Sequence, residues 1–218
     1  MTATANENHQ ELIIAISRIL LQKGMKATTM DSVAASLSMS KRTLYEIFGS
    51  KKEMIMRVLK YWQQERRRKI DTIFASSETV MEAMVRTFAA HQKMMEDVNV
   101  DFFLDMDDHF PEVRKQYDKH NMLWIDKLMY PINLGIEQGV FRSDINYPIL
   151  LHLMRLQMES LKRMEEVFPP DISITDAFDT ISISFLRSIA TQNGLKVIDN
   201  FYKNNSEYLN SSIIENQS

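Results

Sequence analysis

The sequence predicts an all-α fold in two parts, and three observations predict it. Apolar residues recur at helical spacings along most of the chain, strand-like alternation is scarce, and five Gly and five Pro in 218 residues leave little material for hairpins. A hydrophobic share of 44% with 25% charged residues suits a globular chain of one large or two modest domains. Sixteen Met add helix formers that also fill irregular interiors.

The elements follow in order. Leu12, Ile13, Ile16, Ile19 and Leu20 fall on one face of a helix from about Asn8 to Lys23, and Gly24 supplies its left-handed cap. Thr28 and Thr29 offer caps for a helix Met30–Leu37, Ser38-Met39-Ser40 breaks it, and a third helix runs from Lys41 to Phe48. Gly49-Ser50 ends that one, and Ser50 caps a longer helix from Lys51 to about Phe74. Beyond Ser76-Ser77, helices are expected at Thr79–Val98, Val100–His109, Pro111–Gln138, Tyr147–Phe168, Thr175–Asn193 and Leu195–Leu209. The breaks are placed at Gly139 with Ser143-Asp144, at Phe168-Pro169-Pro170-Asp171 and at Asn193-Gly194. The organisation expected is a first domain over residues 1–52 with a connecting helix over 51–75, a helical domain over 76–210, and a frayed tail over 211–218.

Composition also excludes some chemistry. Without Cys there is no disulfide, no thiolate nucleophile and no Cys-ligated zinc. Met1 to Gln10 is polar and acidic, which is not the pattern of a secretory leader, and no apolar run approaches the ~20 residues that span a bilayer. A cytoplasmic protein without membrane partners is expected. Asp101, Asp105, Asp107, Asp108 and His109 form an acidic cluster that invites a metal or enzymatic reading. No second His is spaced to complete a helical ligand pair, and no phosphate loop or catalytic triad order stands out, so no catalytic, metal or cofactor residue is assigned.

The net charge of −3 hides an asymmetry. Residues 1–69 carry 13 basic against 6 acidic side chains, and residues 70–218 carry 13 against 23. A basic first third on an acidic body suggests a polyanion partner at one end.

The informative stretch is Ser32 to Phe48. Two short helices meeting steeply need a small residue where they touch, here Ala34. They also need an apolar seam, here Val33, Leu37, Met39, Leu44, Ile47 and Phe48. An ordinary helical hairpin shares this spacing. What distinguishes the stretch is its second helix, which opens with Ser40-Lys41-Arg42-Thr43, donors at a helix N-terminus that in a helix-turn-helix face base edges in the major groove. Arg42 or Lys41 reaches guanine, Thr43 a phosphate or thymine methyl, and Tyr45 a phosphate. Lys51 and Lys52, with Thr28 and Thr29, stand at neighbouring helix starts suited to phosphate.

These residues resemble the tetracycline-repressor (TetR) family. The match is Gly24, Ala27-Thr28-Thr29-Met30, Val33-Ala34 and, above all, Thr43-Leu44-Tyr45-Glu46-Ile47-Phe48-Gly49-Ser50-Lys51-Lys52-Glu53-Met54. The family pattern is an apolar-Tyr pair, an aromatic three residues after the Tyr, and a Lys three residues later. It is met by Leu44-Tyr45, Phe48 and Lys51. Two positions depart: Ser38 stands where the family has Gly in the turn, and Ile47 where it often has His. Serine at positive φ costs on the order of 1 kcal/mol.

The resemblance implies an N-terminal three-helix helix-turn-helix domain on a C-terminal helical bundle that binds ligand and dimerises. It implies DNA contacts by Thr29, Ser40, Lys41, Arg42, Thr43, Tyr45 and Lys51, with Arg42 and Lys41 as base readers. Arg66-Arg67-Arg68-Lys69 then lies away from the duplex as a solvated face. Dimerisation falls to Tyr147–Phe168 and Thr175–Asn193, where Leu150, Leu151, Met154, Met158, Leu161, Ile181, Phe185 and Ile189 divide between core and partner in a way the spacing does not reveal. Residues 135–144 resemble the family's turn between its seventh and eighth helices.

A pocket is implied among the remaining helices. Its candidates are Phe88, His91, Met95, Phe103, Met106, Trp124, Met129 and Gln157, although Met and aromatic stripes equally describe a core. The implied function is a sequence-specific regulator: a homodimer whose two recognition helices reach major grooves about 34 Å apart on a double-stranded operator. It would be a repressor released by a hydrophobic or amphipathic effector. The rival readings are a metal-binding or enzymatic protein using residues 101–109, and a helical interaction module that binds no DNA.

Overall fold

The computed structural model describes residues 3–95 and 101–205, with side chains except at 3–9, 94–95, 101–104, 118–127, 162 and 165. The described residues form eleven α-helices and no strand. They are α1 (Ala3–Lys23), α2 (Met30–Ser36), α3 (Lys41–Phe48), α4 (Lys51–Ala75), α5 (Val80–Met95), α6 (Asp101–His109), α7 (Pro111–Glu137), α8 (Tyr147–Ser160), α9 (Met164–Val167), α10 (Ile174–Ile189) and α11 (Gln192–Asn204). The expected tail over 211–218 lies outside the described residues.

Contacts divide the chain into two compact units, residues 1–68 with 97–120, and residues 69–96 with 121–218. This differs from a boundary at residue 76. The physical reason is burial: Met106 of α6 and Val113 of α7 are enclosed in the first unit's core with Ile16, Leu20, Met25, Leu44, Phe48 and Ile55. Each such side chain stabilises by roughly 1.5–3 kcal/mol.

The core of the second unit gathers Met81 and Val85 of α5, Ile132 of α7, Leu151 and Met154 of α8, Phe185, Leu186 and Ile189 of α10, and Ile198 of α11. Three boundaries differ from expectation here. The expected helix Tyr147–Phe168 breaks after Ser160, where a 3-10 turn at Leu161–Arg163 leads into α9. The tighter turn points both Leu161 and Met164 at Ala177 and Phe178.

The other two differences share one cause. The break expected at Asn193-Gly194 falls instead at Ala190-Thr191, so α10 ends at Ile189 and α11 begins at Gln192. Thr191 caps α11 by accepting from the Gly194 N–H at 3.2 Å, and its hydroxyl donates to the Gly139 carbonyl at 2.7 Å. Gly194 serves close packing: a Cβ there would lie 2.3 Å from the Val140 carbonyl oxygen.

Candidate nucleic-acid interface

The first turn of the site is α2 into α3. Thr29 caps α2 with a full capping box, accepting from the Ser32 N–H at 3.0 Å while Ser32 Oγ accepts from the Thr29 N–H at 2.9 Å. At the other end of α2 the Ser38 N–H donates to the Ala35 carbonyl at 3.2 Å and the Met39 N–H to the Ala34 carbonyl at 2.9 Å. That pair of bonds is a Schellman motif, which demands a left-handed residue at its centre. Ser38 is that residue, at φ 52°, the one non-glycine at positive φ among the described residues. The turn therefore has the geometry the family builds with glycine.

Ser40 then caps α3, its Oγ accepting from the Thr43 N–H at 3.0 Å and lying 2.8 Å from Thr43 Oγ1. Leu44 and Phe48 face inward, where they join Val33 and Ala34 of α2. Lys41, Arg42, Thr43 and Tyr45 face out. Helical periodicity turns Arg42 and Thr43 away from the face that buries Leu44 and Phe48, while Lys41 is exposed because it opens the helix.

The outward cations are held by anions. Lys41 Nζ lies 2.7 Å from Asp31, whose hydrogen bond raises the lysine's pKa, and Arg42 Nε donates to Glu46 at 2.8 Å. Exposed pairs of this kind are worth about 0–1 kcal/mol, so a phosphate or base edge replaces the carboxylate at little cost. Asp31 and Glu46 were not singled out from the sequence. A signal was present for Glu46, since Arg42 and Glu46 are an i,i+4 pair, whereas Asp31 meets Lys41 across ten residues and two helices.

Two of the phosphate candidates are placed differently. Thr28 is buried, with its hydroxyl donating to the Gly24 carbonyl at 2.8 Å. Lys51 is half-buried: its ammonium donates to the Lys26 carbonyl at 3.1 Å and sits 5.3 Å from the Phe110 ring centroid. Burial pushes its pKa down, with Asp105 opposing. Its neighbour Lys52 is exposed and paired with Glu112.

The acidic cluster divides as well. Asp105 accepts from the Lys26 N–H at 2.7 Å and Asp107 pairs with Arg114 at 2.8 Å, while the Asp101 side chain is outside the described residues. No group of three His, Asp or Glu able to hold a metal ion occurs among the described residues.

The eight pocket candidates do not all come together. Phe88 packs edge-on against Phe178 and Phe185, each at 6.4 Å, and the His91 ring is 5.2 Å from Phe178. Met129 lines the same core. Met106 instead fills the first unit's core, and Gln157 is exposed. The side chains of Met95, Phe103 and Trp124 lie outside the described residues. Sequence reading missed a buried polar cluster beside Phe178: Gln92 Nε2 donates to Asp179 at 2.5 Å, and Ser182 Oγ is buried with no hydrogen-bond partner among the described residues. A groove of about 330 Å³ lined by Glu78, Glu82, Asn200, Phe201 and Asn204 contains none of the eight.

A capped short helix, a left-handed turn and a second helix with an inward apolar seam and outward Lys, Arg and Thr define a helix-turn-helix DNA-binding protein. Comparison with known proteins narrows the class. Residues 12–58 match the family described as bacterial regulatory proteins, tetR family. The HTH-type transcriptional repressor KstR2 of Mycobacterium tuberculosis is 23% identical over 158 residues, 69% of this chain and 77% of that one. KstR2 of Rhodococcus jostii is 24% identical over 162 residues, 71% and 78% respectively. Among solved structures, a regulator from Saccharomonospora viridis in complex with choline matches with TM-score 0.68 at 17% identity over 86% of this chain and all of that one. A TetR-family regulator from Cytophaga hutchinsonii matches with TM-score 0.67 at 15% identity, over 88% of this chain and 99% of that one. Over residues 12–58 the chain resembles the tetR family of bacterial regulatory proteins.

Proposed function

We propose that this protein is a cytoplasmic, homodimeric repressor that leaves its operator when a small amphipathic molecule enters the second unit. The observation that carries the reading is the division of α3, with Leu44 and Phe48 inward and Lys41, Arg42, Thr43 and Tyr45 outward. In this reading Arg42 and Lys41 exchange Glu46 and Asp31 for base edges, and Thr29, Ser40, Thr43 and Tyr45 hold phosphates. Lys51 contributes from behind.

The dimer is supported by α8. Ile149, Leu153 and Leu156 are 58%, 52% and 56% exposed at spacings of four and three, a single apolar stripe on one helix face. The effector is supported by the second unit's interior, where Phe88 and His91 pack on Phe178 and Gln92 donates to the buried Asp179. KstR2 of Mycobacterium tuberculosis is described as a ketosteroid transcriptional regulator, and the Saccharomonospora viridis structure holds choline.

The test is titration of duplex DNA from upstream of the protein's own gene. The unaltered protein should bind it, and Arg42→Ala should lose affinity by about 1–3 kcal/mol while sedimenting as the parent does. Equal binding by Arg42→Ala would remove the site assignment. Leu153→Glu should sediment as a monomer and bind weakly.

A further inference from the structure

We propose that Asp105 is a positioning residue for DNA binding: its carboxylate fixes the loop that delivers Thr29 and α2 to the duplex. The inference rests on the DNA-binding reading above.

Lys26 sits midway along the loop between Gly24 and Thr28. Its N–H donates to Asp105 Oδ2 at 2.7 Å, from a residue 79 positions later, and its carbonyl accepts from Lys51 Nζ at 3.1 Å. Both backbone groups of one exposed residue are thus gripped by charged side chains from two other helices. Bonds of this charge-assisted kind are roughly twice as strong as neutral ones. Lys51 is itself steadied by the Phe110 ring, 5.3 Å away just past the end of α6. On the far side, Met25 is fully buried and Thr28 is tied to the Gly24 carbonyl, so the loop has a floor as well as a clasp. The next residue is Thr29, the cap of α2.

The placement of α6 does not depend on this bond, because Met106 anchors it in the core and Val113 anchors the helix that follows. Losing the carboxylate should therefore free the loop and leave the unit folded. Simple electrostatics and the clasp then predict opposite signs. Removing a negative charge from a DNA-binding unit should tighten its grip on a polyanion. The clasp predicts weaker binding.

The experiment measures affinity for the upstream duplex in Asp105→Ala, Asp105→Asn and Asp108→Ala, together with backbone amide exchange at Lys26. Asp105→Ala should bind about fivefold more weakly or worse, the equivalent of one lost hydrogen bond. Asp105→Asn keeps an acceptor oxygen and loses the charge, so it should bind as the parent does or more tightly. Asp108→Ala, exposed on the same helix, should do the same. Exchange at Lys26 should quicken in Asp105→Ala while Val33 and Leu44 stay protected. Asp105→Ala binding as well as the parent would overturn the proposal, and so would Asp105→Asn failing alongside it. If Asp105→Ala does not fold, the Asn variant and the parent's Lys26 exchange decide, since exchange as fast as an open loop would refute the clasp. Failure of the parent to bind any duplex would remove the DNA reading, and the exchange measurement would still judge the clasp.

Discussion

Carboxylates on α2 and α3 of the first unit and on α10 of the second are held in opposite ways. In the first, Asp31 and Glu46 sit in water and hold Lys41 and Arg42 by bonds that cost little to break. In the second, Asp179 lies inside the core with Gln92 as its donor, where an unmade hydrogen bond is expensive. A surface that must exchange partners is built from weak exposed pairs. An interior that must keep one arrangement until something displaces it is built from buried ones.

The contrast can be broken experimentally, beginning with the largest effect. Asp179→Ala strands the Gln92 amide in the core and should destabilise the protein by about 1–3 kcal/mol in urea unfolding. If it costs no more than a surface substitution, the interior pair has no structural weight. Next is Tyr202, whose pKa burial pushes up to about 12. Because the folded value lies above that of the unfolded chain, its contribution is complete below about pH 10 and is lost as pH rises toward 12. Tyr202→Phe should flatten the stability curve over that window in pH-dependent melts. Ser38→Gly should raise stability by about 0.5 kcal/mol, the relief of a left-handed serine less the entropy of a freer unfolded chain. Smallest is Glu46→Ala, which should change stability by less than about 0.5 kcal/mol and tighten duplex binding slightly, since Arg42 no longer leaves a partner.

The first unit was legible because its instructions are local. Gly24 and Gly49 take positive φ where the sequence placed their caps, and Ser38 adopts the strained conformation inferred from its place in the turn. Thr29, Ser40 and Ser50 each accept from an N–H three residues on, a span that sequence reading sees directly. The second unit was misread where its determinants come from afar. Gly194 looks like a helix stop until Val140 is placed against it, and Thr191 is persuasive as a cap only once Gly139 accepts its hydroxyl. Gln92 and Asp179 are 87 residues apart, so no spacing rule could pair them. Met106 was assigned to a pocket for its residue type, and α6 carries it into the other core.

The sulfur chemistry of the interior has a practical consequence. With no cysteine to compete, mild peroxide attacks only thioethers, and Met25, Met54 and Met106 in one unit and Met81 in the other are fully enclosed. Sulfoxide formation at each therefore clocks how often its surroundings open. Peptide mass mapping after brief oxidation would time the breathing of the two halves separately, without a label, and would show which half an added effector quiets.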